Sequence, residues 1–212
     1  MMILVTAGPT REYLDPVRYI SNRSSGKMGC AVAESALRHG HKVILIAGPM
    51  SAVPPEGAKL VKVETAIEMC EAVEKYLEAC DALVAAAAVA DYRPAEYSPA
   101  KLKKNFSHQP SAISLVSNPD ILRTIAPRKG KRIFVGFAAE TNDLLKNATD
   151  KLRRKNLDMI VANDVTIPGA GFDTDTNEVV FITHDGATPV PMTTKTAIAD
   201  MIVEKIMKLS AR

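Results

Sequence analysis

An uninterrupted apolar run lies in the middle of the chain: Leu83-Val84-Ala85-Ala86-Ala87-Ala88-Val89. A strand of a parallel sheet that is covered by helices on both faces has this continuous apolar character. We therefore predict a central strand over 83–89, and its small side chains would let a ligand lie against the backbone. Asp91 follows just past the predicted carboxyl end, where ligands bind in open α/β sheets. It could equally cap the turn there.

Strand and helix patterns alternate on both sides of this run. Apolar residues at helical spacing predict helices over 26–38, 65–77, 119–126, 144–156 and 196–209, and short apolar runs predict strands over 3–6, 43–47, 60–63, 133–139 and 159–162. This alternation favours a Rossmann-like, doubly wound, mostly parallel α/β sheet with right-handed crossovers. Two late strands over 179–183 and 189–192 flank Asp185-Gly186, a hairpin signal, and predict an antiparallel C-terminal addition.

A single domain over residues 1–212 is the simplest organisation, because no change of composition marks a linker. Periodicity fails over about 92–115, where several prolines interrupt the chain, and this segment is predicted to be a flap. The next predicted helix has Asn118 as its N-cap and Pro119 at its first position.

Composition excludes several classes of function. Net charge is +3, aromatic residues make up 5% and Trp is absent, so binding of nucleic acid by charge or by stacking is not expected. The sequence holds no signal peptide and no apolar run of the roughly 18 residues that would span a membrane. The three cysteines form no CxxC pair, which favours buried, reduced thiols in a cytoplasmic protein. Four scattered histidines give no ligand cluster for a zinc site.

The connection from Gly8 to Gly26 is far longer than the roughly 2–6 residues that join most strands to helices. Its later part, over 15–29, is polar, basic and rich in small residues, and it leads into a helix. Backbone N–H groups at the positive terminus of a helix bind phosphate. We therefore predict an anion-binding active-site loop, with a purely structural turn as the alternative.

Two common nucleotide fingerprints fit this loop poorly. A Walker A loop would need glycine where Ser21 stands and a hydroxyl residue where Met28 stands. A dinucleotide fold would place a carboxylate after the second strand, but Gly48-Pro49 stands there. The sequence therefore favours a phosphate site on a Rossmann-like frame without a nicotinamide partner.

The predicted flap carries two further signals. Tyr97 and Lys101 have the spacing used by short-chain reductases, but Pro99 between them argues against the shared helical face that this chemistry needs. Lys101, Lys103 and Lys104 form either a solvated basic face or a cationic flap that closes over phosphates. Their place beside the carboxyl edge of the sheet favours the flap.

Blocks along nearly the whole chain resemble one family, the phosphopantothenoylcysteine synthetases of coenzyme A biosynthesis. These blocks, in the family's order, are Val5-Thr6-Ala7-Gly8-Pro9-Thr10-Arg11-Glu12, residues 15–29, Ala87-Ala88-Val89-Ala90-Asp91-Tyr92-Arg93, Lys101-Leu102-Lys103-Lys104, Asn118-Pro119-Asp120-Ile121, Gly136-Phe137-Ala138-Ala139-Glu140-Thr141, Ala162-Asn163-Asp164-Val165 and Asn177-Glu178. Several blocks in register are a much stronger signal than any single glycine motif. Most bacterial members are fused to a decarboxylase domain that this sequence lacks, so the chain is either free-standing or part of a longer protein.

The resemblance implies a two-step ligase reaction. The carboxylate of 4′-phosphopantothenate attacks the α-phosphate of a nucleoside triphosphate, usually CTP in bacteria with ATP as the other candidate, and pyrophosphate leaves. The amine of L-cysteine then displaces the nucleotide from the acyl-cytidylate, giving 4′-phospho-N-pantothenoylcysteine and CMP. Mg²⁺ would be carried by the nucleotide phosphates, and no protein metal ligand is implied.

The resemblance also implies roles for individual residues. The family's essential asparagine falls on Asn22 and its loop arginine on Arg18, both holding phosphopantothenate and the acyl-nucleotide. The flap lysine falls on Lys101, as a counter-charge for the triphosphate. Substrate contacts also fall on Ala86, Ala87 and Asp91. Nucleotide contacts fall on Ser24, Gly26, Gly29, Ala85, Ala86, Ala87, Asp91, Lys101, Pro119, Asp120, Ile121, Leu122, Phe137, Lys151, Lys155 and Asn163.

Partners implied by the resemblance are small molecules and a second copy of the chain. Family members form homodimers whose sites take residues from both subunits, and the late hairpin is the predicted contact. Two other classes of function stay open at this point: an NAD(P)-dependent oxidoreductase of the short-chain type on the same fold, and a non-catalytic nucleotide-binding module.

Overall fold

The computed structural model describes residues 1–103, 112–140, 143–164, 171 and 173–211. Its strands are β1 (Met2–Ala7), β2 (Arg11–Tyr13), β3 (Tyr19–Ser21), β4 (Lys42–Ala47), β5 (Lys59–Lys62), β6 (Ala82–Ala85), β7 (Tyr92–Pro94), β8 (Leu115–Ser117), β9 (Ile133–Glu140), β10 (Met159–Asp164), β11 (Thr176–Thr183) and β12 (Gly186–Thr194). Its helices are α1 (Lys27–Arg38), α2 (Ala66–Leu77), α3 (Ile121–Ile125), α4 (Leu144–Arg154) and α5 (Lys195–Ser210), with a 3-10 turn at Ala126–Arg128.

Eight strands form one sheet in the order β12-β11-β10-β9-β6-β1-β4-β5. Neighbours from β10 to β5 are parallel, while β10, β11 and β12 pair antiparallel. The predicted α/β class, the mostly parallel sheet and the antiparallel addition around Asp185-Gly186 are therefore confirmed. The apolar run quoted first does supply a central strand, because β6 lies between β1 and β9.

Helices cover both faces of the sheet, as a doubly wound fold requires. Odd-numbered residues of β1 such as Ile3 and Val5 pack in the same layer as α1 and α5, whereas Leu4 packs with α2, α3 and α4. Each fully buried aliphatic side chain stabilises the fold by roughly 1.5–3 kcal/mol. The alternation of strand side chains therefore attaches a helical layer to each face.

The sheet has a switch point between β1 and β6. From β1 the chain moves to β4 and β5 on one side, and it then returns to β6, β9 and β10 on the other side. The connections that leave neighbouring strands in opposite directions open a crevice at the carboxyl ends of the strands. The residues after β1 and β6 are therefore placed to line a binding site.

The strand predicted over 83–89 is wrong in its second half, since β6 ends at Ala85. Beyond it the chain bends toward the loop that follows β1: the backbone N–H of Ala88 donates to the carbonyl of Gly8 at 2.9 Å. The N–H of Ala90 donates to Thr10 Oγ1 at 3.0 Å. These bonds compete with the ladder, and a run of alanines offers no β-branched side chain to favour the strand.

The helix predicted over 119–126 starts later than expected, and its predicted N-cap is wrong. Asp120 caps α3 by accepting a bond from the N–H of Arg123 at 3.3 Å. Asn118 instead donates its side-chain amide to the carbonyl of Ala90 at 2.8 Å. A tertiary partner has thus taken the side chain that local sequence assigned to a cap.

Two small antiparallel sheets lie beside the main sheet and were not predicted. β2 pairs with β3 inside the long connection after β1, and β7 pairs with β8 at the base of the predicted flap. Strands of three residues are too short to show a period of two, so no pattern announced them. Residues 104–111 of the flap, including Lys104, lie outside the described residues.

The prediction that the three cysteines are buried thiols is confirmed. Cys30, Cys70 and Cys80 are all buried free thiols. Burial raises the pKa of the Cys30 and Cys80 thiols to about 11. Across the part of the chain that the structure describes, no helix has the length and apolar character needed to cross a bilayer.

Candidate functional site

Two adjoining cavities open at the carboxyl ends of β1, β6, β9 and β10. We call the larger one, of about 380 Å³, the glycine-loop cleft, after the glycine loop of residues 22–29 that lines it. The smaller one, of about 190 Å³, we call the α4 pocket. They share a wall formed by Ala87, Val89, Asp91, Phe137 and Lys151. The two cavities therefore form one continuous site of two compartments.

Most of the residues implied by the family resemblance meet in these two compartments. Those on the cleft are Asn22, Ser24, Gly26, Gly29, Ala86, Ala87, Asp91, Phe137, Lys151 and Asn163. Those on the α4 pocket are Ala85, Ala87, Asp91, Asp120, Ile121, Leu122, Phe137, Lys151 and Lys155. Residues from six separate stretches of the chain thus converge at the switch point of the sheet.

The glycine loop enters α1 with no room for side chains. Gly26 has φ of 82°, a left-handed conformation that favours glycine, and a Cβ there would lie 2.3 Å from Met50 Sδ. A Cβ on Gly29 would lie 2.5 Å from the Cβ of Ala7 at the end of β1. Gly29 therefore lets α1 begin close against β1, and Gly26 lets the loop pass close to Met50 after β4. The first backbone N–H groups of α1 lie at the cleft.

Asn22 joins the two loops that frame the cleft. Its amide nitrogen donates to the carbonyls of Ala88 at 3.1 Å and Val89 at 3.0 Å. Thr6 Oγ1 also accepts a bond from the N–H of Ala87 at 3.2 Å. Asn22 and Thr6 thus hold the segment after β6 in place, and the amide group of Asn22 lies where the two loops meet.

The α4 pocket has two lysines one helical turn apart. Lys155 Nζ donates to Asp120 Oδ1 at 2.9 Å, and Lys151 Nζ donates to the carbonyl of Phe137 at 2.7 Å. Residues at i and i+4 lie on the same face of a helix, so both amines point to this compartment. Its apolar floor comes from Leu83, Ile121 and Leu122. A planar apolar group would pack on this floor, and the two lysine amines would bind a phosphate chain.

Three of the implied residues do not line either compartment: Arg18, Lys101 and Pro119. Arg18 Nη2 instead pairs with Asp15 Oδ2 at 2.5 Å and donates to the carbonyl of Leu102 at 2.6 Å. The Arg18 hydrogen bond is the main reason that the pKa of the Asp15 carboxyl is well below its usual range. The structure thus places Arg18 next to Leu102 at the start of the flap, beside Lys101 in the chain.

Lys27, Asn177 and Lys195 line the cleft without having been singled out for a role. Asn177 and Lys195 are buried polar residues. Lys195 is also the first residue of α5, far along the chain from every other cleft residue except Gly171 and Asn177. In the sequence, only the block Asn177-Glu178 indicated this side of the cleft. Local sequence did not indicate Lys195, because an isolated lysine at the start of a helix is ordinary.

The described residues contain no group of three or more His, Cys, Asp or Glu side chains arranged to hold a metal ion. Asp91 is the carboxylate that the described lining of the cleft offers. A single exposed carboxylate next to lysines fits Mg²⁺ only where the ion takes its other ligands from phosphates and water. The donor set is thus compatible with a metal that arrives on a nucleotide.

Comparison with known proteins places this geometry in context. The family model for the DNA/pantothenate metabolism flavoprotein C-terminal domain matches residues 1–209. The coenzyme A biosynthesis bifunctional protein CoaBC of Vibrio parahaemolyticus is 46% identical over 208 residues, covering 98% of this chain and 52% of that protein. CoaBC of Escherichia coli K12 is 45% identical over 207 residues, covering 97% of this chain and 51% of that protein.

The chain therefore spans about half the length of the curated relatives it matches. Among solved structures, the C-terminal domain of a CoaBC protein superposes with a TM-score of 0.84 at 41% identity, covering 100% of this chain and 96% of that one. The family resemblance found in the separate sequence blocks is thus confirmed over almost the whole chain. This protein belongs to the family of DNA/pantothenate metabolism flavoprotein C-terminal domains.

Proposed function

We propose that this protein is a phosphopantothenate–cysteine ligase. It joins 4′-phosphopantothenate to L-cysteine through an acyl-nucleotide intermediate, with CTP as the preferred co-substrate. The observation that carries the proposal is the two-compartment site at the switch point of the sheet. One compartment suits a nucleotide, the other suits a second anionic reactant, and Asn22 lies at the loops that join them.

The two steps balance without any further reactant. In the first, a carboxylate oxygen forms a bond to the α-phosphorus and the bond to the leaving pyrophosphate breaks. In the second, the cysteine nitrogen bonds to the acyl carbon, the nucleoside monophosphate leaves with the bonding electron pair, and the amine loses a proton. Activation is needed because a free carboxylate is a poor electrophile at neutral pH.

Asn22 is the residue that we place at the reacting centre. An amide carries both a donor and an acceptor and has no charge, so it can lie beside a carboxylate and then beside a developing oxyanion without repelling either. Donors aimed at the developing charge stabilise such a transition state. Both N–H groups of the Asn22 amide hold the segment after β6 in this structure, so the substrate would replace one of these two partners when Asn22 donates to the oxyanion.

The nucleotide would occupy the α4 pocket and extend its phosphates into the cleft. Lys151 and Lys155 would supply positive charge, and the N–H groups of the glycine loop would meet the phosphate chain. Asp91 would help to hold a Mg²⁺ ion that arrives with the nucleotide phosphates. Electrostatic neutralisation of the leaving pyrophosphate is the chemistry that this ion would add.

Arg18 and Lys101 fit this proposal best if they act in a second subunit. Both are outside the cleft of their own chain, next to the small sheets β2–β3 and β7–β8. An unusual number of large apolar side chains is exposed on or beside these sheets: Val17, Tyr19, Tyr92, Tyr97, Ile113, Leu115 and Val116. Exposed apolar patches of this kind mark protein–protein contacts. We propose a homodimer through this face rather than through the late hairpin alone.

Pyrophosphate release tests the function directly. Folded protein is assayed with 4′-phosphopantothenate, cysteine and Mg²⁺, with CTP and ATP in parallel, and each reactant is omitted in turn. We expect pyrophosphate and the amide product with CTP, and pyrophosphate without product when cysteine is omitted. Absence of both products with either nucleotide would exclude the ligase. Tight NADPH binding would instead favour the oxidoreductase, and nucleotide binding without turnover would favour the non-catalytic module.

A further inference from the structure

Asn118 lines the α4 pocket, and neither the resemblance nor the proposed reaction gives it a role. It stands between β8 and α3, and the cap that it was predicted to form is made by Asp120 instead. Its side-chain amide donates to the carbonyl of Ala90 at 2.8 Å, and its backbone N–H donates to the carbonyl of Asp91 at 2.8 Å. One residue therefore holds two consecutive carbonyls of the segment that follows β6.

These two carbonyls belong to the wall that the two compartments share. The side chain of Asp91 lines both compartments. The N–H of Ala90 is held from the other side by Thr10 Oγ1 at 3.0 Å, and Thr10 is fully buried. Ala90 is thus fixed at its N–H by the loop after β1 and at its carbonyl by Asn118. The place of Asp91 depends on both bonds.

Asn118 also leads directly into one side of the α4 pocket. Residues 119–122 follow it, and the last three of them line the pocket. The bonds from Asn118 to residues 90–91 therefore set the separation between the shared wall and the side of the pocket at which α3 begins. A nucleotide that extends from the pocket into the cleft would contact both.

The orientation of the Asn118 amide is set by Arg93 on β7. Arg93 Nη1 donates to Asn118 Oδ1 at 3.1 Å and to the carbonyl of Ser117 at 2.7 Å. A guanidinium has donors only, so it binds the amide oxygen and leaves the amide nitrogen to face Ala90. Because β7 pairs with β8 at the base of the flap, Arg93 and Asn118 link that base to the α4 pocket.

We propose that Asn118 is a positioning residue for the nucleotide, which holds Asp91 and residues 119–122 at a fixed separation, and that Arg93 acts through it. The inference rests on the proposed function, because that function assigns the α4 pocket to the nucleotide. A displacement of about 1 Å in groups that orient a reactant can slow a reaction about 10²-fold. A residue that fixes two such groups therefore governs the rate without taking part in the chemistry.

The competing role for Asn118 is purely structural, as a link between the small sheet and α3. The β7–β8 ladder does not need its side chain, because Tyr92 pairs with Ser117 and Arg93 pairs with Val116 through the backbone. A structural role predicts that its variants lose stability, whereas a positioning role predicts a selective loss in handling of the nucleotide.

The test compares Asn118→Ala and Asn118→Asp with the parent in two measurements: calorimetric titration with CTP alone, and steady-state release of pyrophosphate. We expect about tenfold weaker CTP binding in both variants, because the carbonyl of Ala90 loses its donor and the segment can shift. We expect kcat/KM for CTP to fall about 10²-fold, while KM for cysteine stays within about twofold of the parent value. Ser117→Ala is the matched control, because Ser117 is exposed and Arg93 binds its backbone carbonyl, so this variant should match the parent.

Arg93→Ala tests whether Arg93 acts through Asn118. We expect kcat/KM for CTP to fall less than in Asn118→Ala, since the bonds from Asn118 to Ala90 and Asp91 can still form. The double variant Arg93→Ala/Asn118→Ala should be no worse than Asn118→Ala alone, because substitutions within one hydrogen-bond network are not additive. Additive losses would show that Arg93 acts independently, against this part of the proposal.

Parental CTP binding and parental kcat/KM in a folded Asn118 variant would overturn the proposal, and so would a lower melting temperature with neither value changed. If Asn118→Ala failed to fold, Asn118→Asp would still decide, because it keeps the shape of the side chain and an acceptor for Arg93. Failure of the proposed function would appear in the parent itself, as absent pyrophosphate. CTP titration needs no turnover, so it tests the positioning role separately, and a parent that bound no CTP would overturn both.

Discussion

Asn22 is at once part of the framework and part of the proposed reacting centre. Its amide nitrogen bonds to two consecutive carbonyls after β6, so the side chain ties together loops that are far apart in sequence. The same bonds fix the amide in one orientation. At this position, a change of one atom therefore tests structure and chemistry together.

Replacing Asn22 by Asp tests this dual role. A carboxylate cannot donate to Ala88 and Val89, and it would add a negative charge beside the carboxylate and phosphates of the reactants. We expect turnover of 4′-phosphopantothenate, CTP and cysteine to fall by about 10²-fold, as when an oxyanion donor is removed, while CTP affinity changes much less. Steady-state rates and CTP titration measure the two effects. Unchanged turnover would contradict the role given to Asn22.

At the scale of the element, the long connection after β1 is held at one buried carboxylate. Asp15 accepts bonds from the N–H groups of Val17 and Arg18 and from the Arg18 guanidinium, all between 2.5 and 3.0 Å. It also accepts from the N–H of Leu102 at 3.1 Å. This single side chain thus connects the β2–β3 hairpin to the start of the flap.

The Asp15 cluster should make stability depend on acid pH. The hydrogen bond from Arg18 lowers the folded-state pKa of Asp15 below the unfolded value. The contribution of the Asp15 carboxylate to stability is therefore fully present above the unfolded pKa, near 3.8. It is lost as the pH falls from that value toward the folded-state pKa. We expect Asp15→Asn to lower the melting temperature by a constant amount at pH 5–8, and the difference from the parent to narrow below about pH 4.

Asp150→Asn on α4 is the control for this series, since Asp150 is exposed. It should melt close to the parent at every pH. A gap between Asp15→Asn and the parent that stays constant down to pH 3 would mean that the carboxylate charge is not what stabilises the turn.

The contact between α1 and β1 depends on Gly29. Alanine normally favours a helix over glycine by about 1 kcal/mol, so Gly29→Ala would stabilise an isolated α1. In the protein the new Cβ would lie 2.5 Å from Ala7 Cβ and 3.0 Å from the Thr6 carbonyl. We expect a net destabilisation of roughly 1–3 kcal/mol by denaturant unfolding, because overpacking outweighs propensity.

Glu34→Ala supplies the matched control on the exposed face of the same helix. It should leave the unfolding free energy within about 0.5 kcal/mol of the parent, as most surface substitutions do. If Gly29→Ala proved as stable as Glu34→Ala, the close packing of α1 on β1 would not be the reason for glycine at this position.

At the scale of the whole molecule, the decisive question is whether Arg18 serves the cleft of its own chain or that of a partner. A homodimer with a two-fold axis would place each Arg18 near the partner only if the β2–β3 and β7–β8 faces meet. We expect proteins carrying Arg18→Gln or Asn22→Asp to be inactive alone, and an equimolar mixture to recover about a quarter of parental activity after subunit exchange.

The reason for this fraction is that half of the mixed population is heterodimer, and one of its two sites keeps both side chains. Equilibrium sedimentation of the parent measures the dimer itself. A monomer at assay concentration, or a mixture no more active than its components, would show that Arg18 does not act across an interface. A Val116→Lys variant that stayed dimeric would argue against the proposed face.

Much of this architecture was predictable from local sequence. The period of apolar residues fixed the order of strands and helices, because each element must bury one stripe or both faces whatever its neighbours are. The helix predicted over 65–77 is α2, and Thr65 caps its start by accepting from the N–H of Glu68 at 3.2 Å. Blocks of sequence in register identified the family and, with it, most of the residues that line the two compartments.

By itself, then, the sequence determined the class of fold, the family and the loops that carry the site. Only the tertiary structure decided where the apolar run leaves the sheet, that Arg18 and Lys101 lie outside the cleft, and that Lys27 and Lys195 both line it. These outcomes depend on bonds between residues far apart in the chain, such as Asn22 with Ala88 and Lys27 with Asp175. Periodicity within a short window reports which side of an element is buried, and it holds no information about the distant partner that buries it.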